Sequence, residues 1–327
     1  MLAVAATAAV LTALVKGYGA GLGDALRDAR PGWVVAALAM ATGGVLFGAL
    51  RWQIVVESTH YRLGFGRALV AVLATWPLAL VTPSRANDLL RAFAVRRTVP
   101  LAVGTGSVLA EKVVDVSLLL ALAAAGAAVE SLWAWAAVIA VGLAFEIGCV
   151  AALVMHRSKF AASKFAAKLA RLPLLRGRAA KIEEFFVAFD ALFAAPGRMV
   201  AACTVSLVIR VLTLGITFAL LRSVGADVDL LDTCALWPVA TLVGLVPVTL
   251  AGMGTRDAAF MYLLSERGHL VTRANVLAAT LGYSAITLGF FALVGLPFML
   301  RQSLYREALN LDGGPRRAAE ASGSGRP

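Results

Sequence analysis

Charged side chains are scarce in this sequence of 327 residues, where Lys, Arg, Asp and Glu together make up 15%. A soluble domain of this length needs far more polar surface. Apolar residues make up 60%, the mean hydropathy is +0.84, and several apolar runs reach the roughly 20 residues that a membrane-spanning helix needs. The sequence lacks the alternating pattern of an outer-membrane barrel. It therefore predicts an all-α integral membrane protein.

Cysteine and histidine are also rare, with three of each. The cysteines lie in or beside apolar runs without CxxC spacing, which favours small apolar packing residues over a disulfide or zinc site: Cys149, Cys203 and Cys234. The glycine motifs at 104–109 and 252–257 lack the third glycine and the preceding strand of a dinucleotide fold. We therefore expect no cofactor, no metal and no enzymatic activity. Despite a net charge of +11, we expect no nucleic-acid partner, because the basic residues gather between apolar runs.

The apolar runs predict about six full spans and two shorter pieces. The predicted spans lie near residues 1–15, 33–50, 101–128, 132–154, 199–221 and 273–300. The shorter pieces, 68–81 and 236–250, contain Pro or Gly and have the length of re-entrant segments. If both re-enter, the links on one side hold 21 of the 30 Lys and Arg, among them the links 51–67 and 155–198. This bias predicts cytoplasmic N- and C-termini.

A short motif occurs twice, once in each half of the chain. WPLALVTPSRAND begins at Trp76 and WPVATLVGLVPVTLAGMGTRD begins at Trp237, each after two predicted spans and before another. Three crossings per half invert the second copy, a plan that recurs in carriers. We predict one repeat over 1–128 with a hairpin at 68–97. A second repeat over 129–305 has a hairpin at 236–267 and a basic cytoplasmic link at 155–198, and a disordered cytoplasmic tail follows at 306–327. The alternative is that the motif recurred by chance.

The interrupted segments are the candidate site, since a helix N-terminus inside the membrane favours an anion. Ser84 and Thr255 are candidate helix caps, and arginines follow each break. A phosphate is the guest that these groups favour. The predicted substrate-binding residues are Arg85, Arg91, Arg256, Ser84, Gly252, Gly254 and Thr255.

Several carboxylates and one lysine accompany these arginines. Their predicted role is to position the guanidinium groups or to change protonation during transport: Asp88, Asp257, Glu111, Lys112 and Asp115. Lys112 reaches Asp115 at i+3 on one helix face. The alternative is that the charges form structural ion pairs, with Glu111 bound to the hairpin arginines. Glu146 and Arg210 are predicted as a further, structural ion pair.

These residues resemble the lysylphosphatidylglycerol synthase transmembrane (flippase-like) family of bacterial and archaeal inner-membrane proteins. The family pattern Pro-x-Arg-x-Gly-Glu-x-x-Arg stands here as Pro83, Arg85, Asn87, Asp88 and Arg91. The patterns Glu-Arg-x-x-Asp and Gly-Gly-x-Gly-x-Arg-Glu correspond to the following residues: Glu111, Lys112, Asp115, Ala251, Gly252, Gly254, Arg256 and Asp257. Each substitution at an ionic position keeps the charge.

The resemblance implies translocation of an anionic phospholipid or a lipid-linked (polyprenyl-phosphate) sugar. It does not imply lysine transfer, because the soluble synthase domain of the longer relatives is missing here. The main alternative is an accessory or scaffold subunit for a glycosyltransferase or lipid-synthesis enzyme. A membrane enzyme and a carrier for soluble ions or small molecules are further alternatives.

Overall fold

The computed structural model describes residues 2–18, 21–80, 82, 87–155, 179–246, 248–267 and 271–301. These residues are almost entirely helical, and no strand occurs among them. Within the described ranges, the long helices are α3 (Pro31–Glu57), α6 (Leu101–Val129), α7 (Trp133–Met155), α9 (Pro196–Ser223) and the continuous pair α12 (Arg273–Ser284) and α13 (Phe291–Arg301). A π-helical turn, Ala285–Phe290, joins α12 to α13. The protein is therefore an all-α membrane protein, as its composition predicts.

Five of the six predicted spans coincide with helices long and apolar enough to cross a membrane. The sixth, 1–15, lies in α1 (Leu2–Tyr18), whose 17 residues fall short of a typical span. A crossing by α1 therefore stays a prediction. The remaining helices are shorter: α2 (Leu22–Arg27), α4 (Phe65–Thr75), α5 (Asn87–Ala94), α8 (Ala179–Phe193), α10 (Leu230–Gly244) and α11 (Thr255–Met261).

The first predicted hairpin is an interrupted segment. Helix α4 runs into a tighter 3₁₀ turn at Trp76–Leu80, where Pro77 removes a backbone donor, and helical backbone resumes at α5. Residues 83–86 lie outside the described residues, and so do the predicted cap Ser84 and Arg85. The predicted basic link 155–198 lies partly outside the described residues, and the predicted tail 306–327 lies entirely outside them.

The second interrupted segment turns through positive backbone angles. Helix α10 ends at Gly244, a 3₁₀ turn covers Leu250–Gly252, and α11 begins at Thr255. Gly252 and Gly254 have φ of 78° and 93°, values that glycine adopts without a Cβ clash. A Cβ added to Gly252 would lie 2.8 Å from the carbonyl oxygen of Gly244, so the two arms pack backbone to backbone. Thr255 is thus the first helical residue, and the cap position predicted for it belongs to Gly254.

The two interrupted segments meet, and each packs on the last long helix of the other half. The turn Trp76–Leu80 contacts the turn Leu250–Gly252. Helix α6 packs against α10 so closely that a Cβ on Gly126 would collide with the carbonyl of Ala235. Helix α13 packs against α4 in the same way, with Gly295 against the carbonyl of Leu73. The repeat and the inversion of its second copy stay predictions.

Candidate functional site

A cavity of about 340 Å³ lies where the two interrupted segments meet. Helices α3, α6 and α9 form part of its wall, together with α4, α5, α10 and α12. Both segments contribute lining residues, including Trp76 from the first and Gly244, Ala251 and Arg256 from the second. A region of the membrane interior that holds broken backbone is compatible with the bilayer only when protein or water surrounds it. Here the helices that line the cavity surround both interrupted segments with protein.

Arg51 is the largest departure from the sequence-based expectation. The predicted link 51–67 is wrong at its start, because α3 continues to Glu57 and Arg51 lies inside the helix with 6% of its surface exposed. Its Nε and Nη2 donate to Oε1 of Glu111 at 3.1 and 2.6 Å. Its Nη1 donates to Oδ1 of Asp115 and to Oγ of Ser206, both at 3.1 Å. One side chain therefore joins α3, α6 and α9.

Glu111 bridges two arginines. Its second oxygen, Oε2, accepts a 2.5 Å bond from Nη2 of Arg91, and only 1% of its surface is exposed. Arg91 is 4% exposed, and its guanidinium carbon stands 4.8 Å from the ring centre of Trp52. The Nε of Arg91 has no hydrogen-bond partner among the described residues. The salt bridge between Glu111 and a hairpin arginine, one of the two roles that the sequence left open, is present.

Two of the expected local pairings are replaced by contacts between helices. Lys112 forms its ion pair with Asp88 of α5, and not with Asp115 one turn along its own helix. Arg210 of α9 binds Asp115 through a side-chain contact of 2.8 Å and through the backbone carbonyl at 3.0 Å. The predicted pair of Glu146 and Arg210 is therefore wrong. Glu146 lies on α7, which packs on α6, and Oε2 of its carboxylate has no hydrogen-bond partner among the described residues.

Arg256 forms a second buried cationic centre in the other half. Its Nε and Nη2 donate to Oδ1 of Asp257 at 3.0 and 2.7 Å, and Nη2 also donates to Oγ of Ser284 at 2.8 Å. Its guanidinium carbon lies 4.6 Å from the ring centre of Tyr283 and 5.1 Å from that of Trp237. The other oxygen of Asp257 accepts the backbone N–H of Gly254 at 3.0 Å. Asp257 therefore holds both the start of α11 and the guanidinium group.

The predicted site residues divide into those that reach the cavity and those behind it. Among the described residues, five cations and three carboxylates line it: Arg51, Arg91, Lys112, Arg210, Arg256, Asp88, Glu111 and Asp115. The predicted residues Gly252, Gly254 and Thr255 are not part of the lining, although the turn that they form carries Arg256. With Asp257, which binds Arg256, the described charges leave a formal surplus of one positive charge.

Sequence reasoning missed Arg51, Ser206, Tyr283 and Ser284. Arg51 carries a detectable signal, because the residues after it include Trp52, Val55 and Val56, so the apolar run does not stop at the charge. The serines carry none, since their partners are 155 and 28 residues away in sequence.

The long apolar helices, the two interrupted segments and the buried ion pairs around one cavity identify this chain as a multi-pass membrane domain. Residues 1–295 match the family described as lysylphosphatidylglycerol synthase TM region. The chain belongs to that family, as its motifs indicate. No curated protein matches the chain.

Proposed function

We propose that this protein moves an anionic phospholipid or a polyprenyl-phosphate sugar across the inner membrane, with its termini in the cytoplasm. The observation that supports this most is the cavity, in which charged groups from both halves of the chain converge. Ionisable groups within membrane helices are costly and typically line substrate pathways. The phosphate would enter the cavity while the acyl or prenyl chain stays in the bilayer.

The charge balance favours a phosphate carrying a single negative charge. Arginine binds phosphate oxygens through forked, charge-assisted hydrogen bonds, and several arginines face the cavity. A phosphodiester, the group that phosphatidylglycerol and a monophosphate-linked sugar share, would neutralise the formal surplus of one positive charge among the described residues. A guest with the same charge as the carboxylates would exchange with them on the guanidinium groups.

This exchange gives the headgroup a way to leave as well as to enter. Glu111 binds Arg51 and Arg91, while Asp257 binds Arg256. A phosphate that replaces one carboxylate gains less than it would at bare cations, so binding stays reversible. The interrupted segments supply two arginine centres in one cavity, and a headgroup would pass between them as access alternates.

The test is transport of fluorescent lipids in liposomes that contain the purified protein. We expect the wild-type protein to move acyl-labelled phosphatidylglycerol or a polyprenyl-phosphate sugar faster than protein-free liposomes do. Arg256→Ala should lower the rate at least about tenfold, because the phosphate loses one of the two arginine centres proposed to bind it. Arg222→Ala is the matched control, since Arg222 pairs with exposed Asp227 and does not line the cavity.

Two results would contradict the proposal. One is a wild-type protein that moves none of these lipids above the protein-free background. The other is an Arg256→Ala protein that supports the cellular function as well as the wild type does. That result would favour an accessory subunit, which only holds a glycosyltransferase or lipid synthase and needs no arginine to bind phosphate. Arg256→Lys, which keeps the charge and loses the fork, separates charge from geometry in the same assay.

A further inference from the structure

We propose that Gly44 and Gly48 of α3 form a wall without side chains that gives a bulky transported headgroup room in the cavity, an inference that rests on the proposed function. Helix α3 presents one face to the cavity, through residues spaced three and four apart: Ala41, Gly44, Val45, Gly48 and Arg51. The two glycines therefore lie on the same helix face as the buried arginine. Gly48 lies about one helical turn from Arg51 along α3, and Gly44 lies about two turns away.

The space beside these two glycines is open. A Cβ built on Gly44 or Gly48 meets no atom within 4 Å. Neighbouring glycines of the α3–α9 contact differ, because a Cβ on Gly43 would lie 3.4 Å from Leu212 and one on Gly215 would lie 2.6 Å from the sulfur of Met40. A Cβ on Gly43 would make an ordinary packing contact and one on Gly215 would require Met40 to move, whereas Gly44 and Gly48 face no neighbouring side chain. Glycine weakens a helix interior relative to alanine, so an absent side chain at both positions calls for another cause.

Arg91 gives an independent sign that this cavity takes a ligand. The residue is more than nine-tenths buried, lines the same cavity, and its Nε lacks a hydrogen-bond partner among the described residues. Buried polar atoms are normally paired, so an unpaired donor on a side chain that lines the cavity points to an anionic ligand. An anion bound between Arg91 and Arg51 would place its charged group at the arginine end of the α3 face.

The helix geometry then sets where the rest of the headgroup lies. At 1.5 Å per residue, Gly48 and Gly44 are about 4.5 and 10.5 Å from Arg51 along the helix axis. A polyol or sugar attached to the phosphate spans that interval, and the missing side chains give it room. The glycine wall would admit bulky headgroups, and a side chain there would exclude them while small ones still fit.

The experiment compares three acyl-labelled lipids that share one phosphodiester and differ in headgroup size. These are phosphatidylmethanol, phosphatidylglycerol and phosphatidylinositol. Each is measured for transport in liposomes and for equilibrium binding to the detergent-purified full chain. The variants are Gly48→Leu and Gly44→Leu, with Gly48→Ala as the smallest change. Gly142→Leu on α7 is the matched control, because Gly142 also has open space around it but does not line the cavity.

We expect Gly48→Leu to weaken phosphatidylinositol binding and transport at least about tenfold relative to phosphatidylmethanol, as steric discrimination in a pocket commonly does. Gly142→Leu should leave that ratio unchanged. An unchanged ratio in both cavity variants, or an equal loss for all three lipids, would overturn the inference. If the wild-type protein binds all three lipids but moves none of them, and Gly48→Leu selectively weakens the binding of phosphatidylinositol, the proposed function fails and the glycine wall stands.

Discussion

Replacing Glu111 with Gln tests the central ion network, because Glu111 is the one carboxylate among the described residues that binds both Arg51 and Arg91. Glutamine keeps the shape but loses the charge, and its NH2 group must face an arginine donor at one of the two contacts. Removing one partner of a buried ion pair commonly costs about 3–5 kcal/mol, since a charge is left uncompensated. We expect Glu111→Gln to lower the free energy of unfolding by that amount.

The measurement is unfolding in mixed micelles with increasing SDS, followed by tryptophan fluorescence. Glu183→Gln is the control, because Glu183 is an exposed residue of α8, and its replacement should change the free energy by less than about 0.5 kcal/mol. A loss below about 1 kcal/mol for Glu111→Gln would refute the argument that buried Glu111 compensates both arginines.

For the same variant we expect lipid binding to become tighter, although the protein alone is less stable. Without Glu111 the formal surplus at the cavity rises by one positive charge, and the competitor for Arg91 is gone. Added phosphatidylglycerol should therefore bind more tightly and raise the stability of Glu111→Gln more than that of the wild type, through ligand linkage. Equal stabilisation of the two proteins by the lipid would contradict the exchange between carboxylate and phosphate.

Three further substitutions give separable outcomes in the same unfolding assay. Asp257→Asn should cost about 3 kcal/mol, because it leaves Arg256 buried without its carboxylate, and a cost below about 1 kcal/mol would contradict that pairing. Glu146→Gln should change stability by less than about 1 kcal/mol, since Arg210 pairs with Asp115 and not with Glu146. A larger loss would favour the ion pair of Glu146 and Arg210 that the sequence predicts. Gly126→Ala should cost about 1–3 kcal/mol through its collision with α10, whereas a neutral result would refute the close packing there.

The class of fold and the interrupted segments could be predicted because both depend on local sequence. Long apolar runs report helices directly, and Pro77 and the glycines before Thr255 mark positions where helical backbone ends. Arg91 and Glu111 could be paired on chemical grounds, since lone charges do not persist among apolar helices.

The partners of the other charges could not be predicted in the same way. Lys112 and Asp115 share a helix face, yet each binds a residue of a different helix, because tertiary packing brings a nearer opposite charge. The sequence pattern predicts Arg51 outside the apolar span, because a charge commonly ends an apolar run, whereas α3 continues past it to Glu57. Close contacts such as that of Gly126 with Ala235 depend on helix crossings that no local pattern encodes.

The most direct measurement of the central claim is an experimental structure of the full chain in nanodiscs that contain phosphatidylglycerol. We predict a phosphate group inside the cavity, within hydrogen-bond distance of the guanidinium of Arg51, Arg91 or Arg256. A structure that shows lipid only on the outer surface, with Glu111 still bound to both arginines at saturating phosphatidylglycerol, would contradict the account.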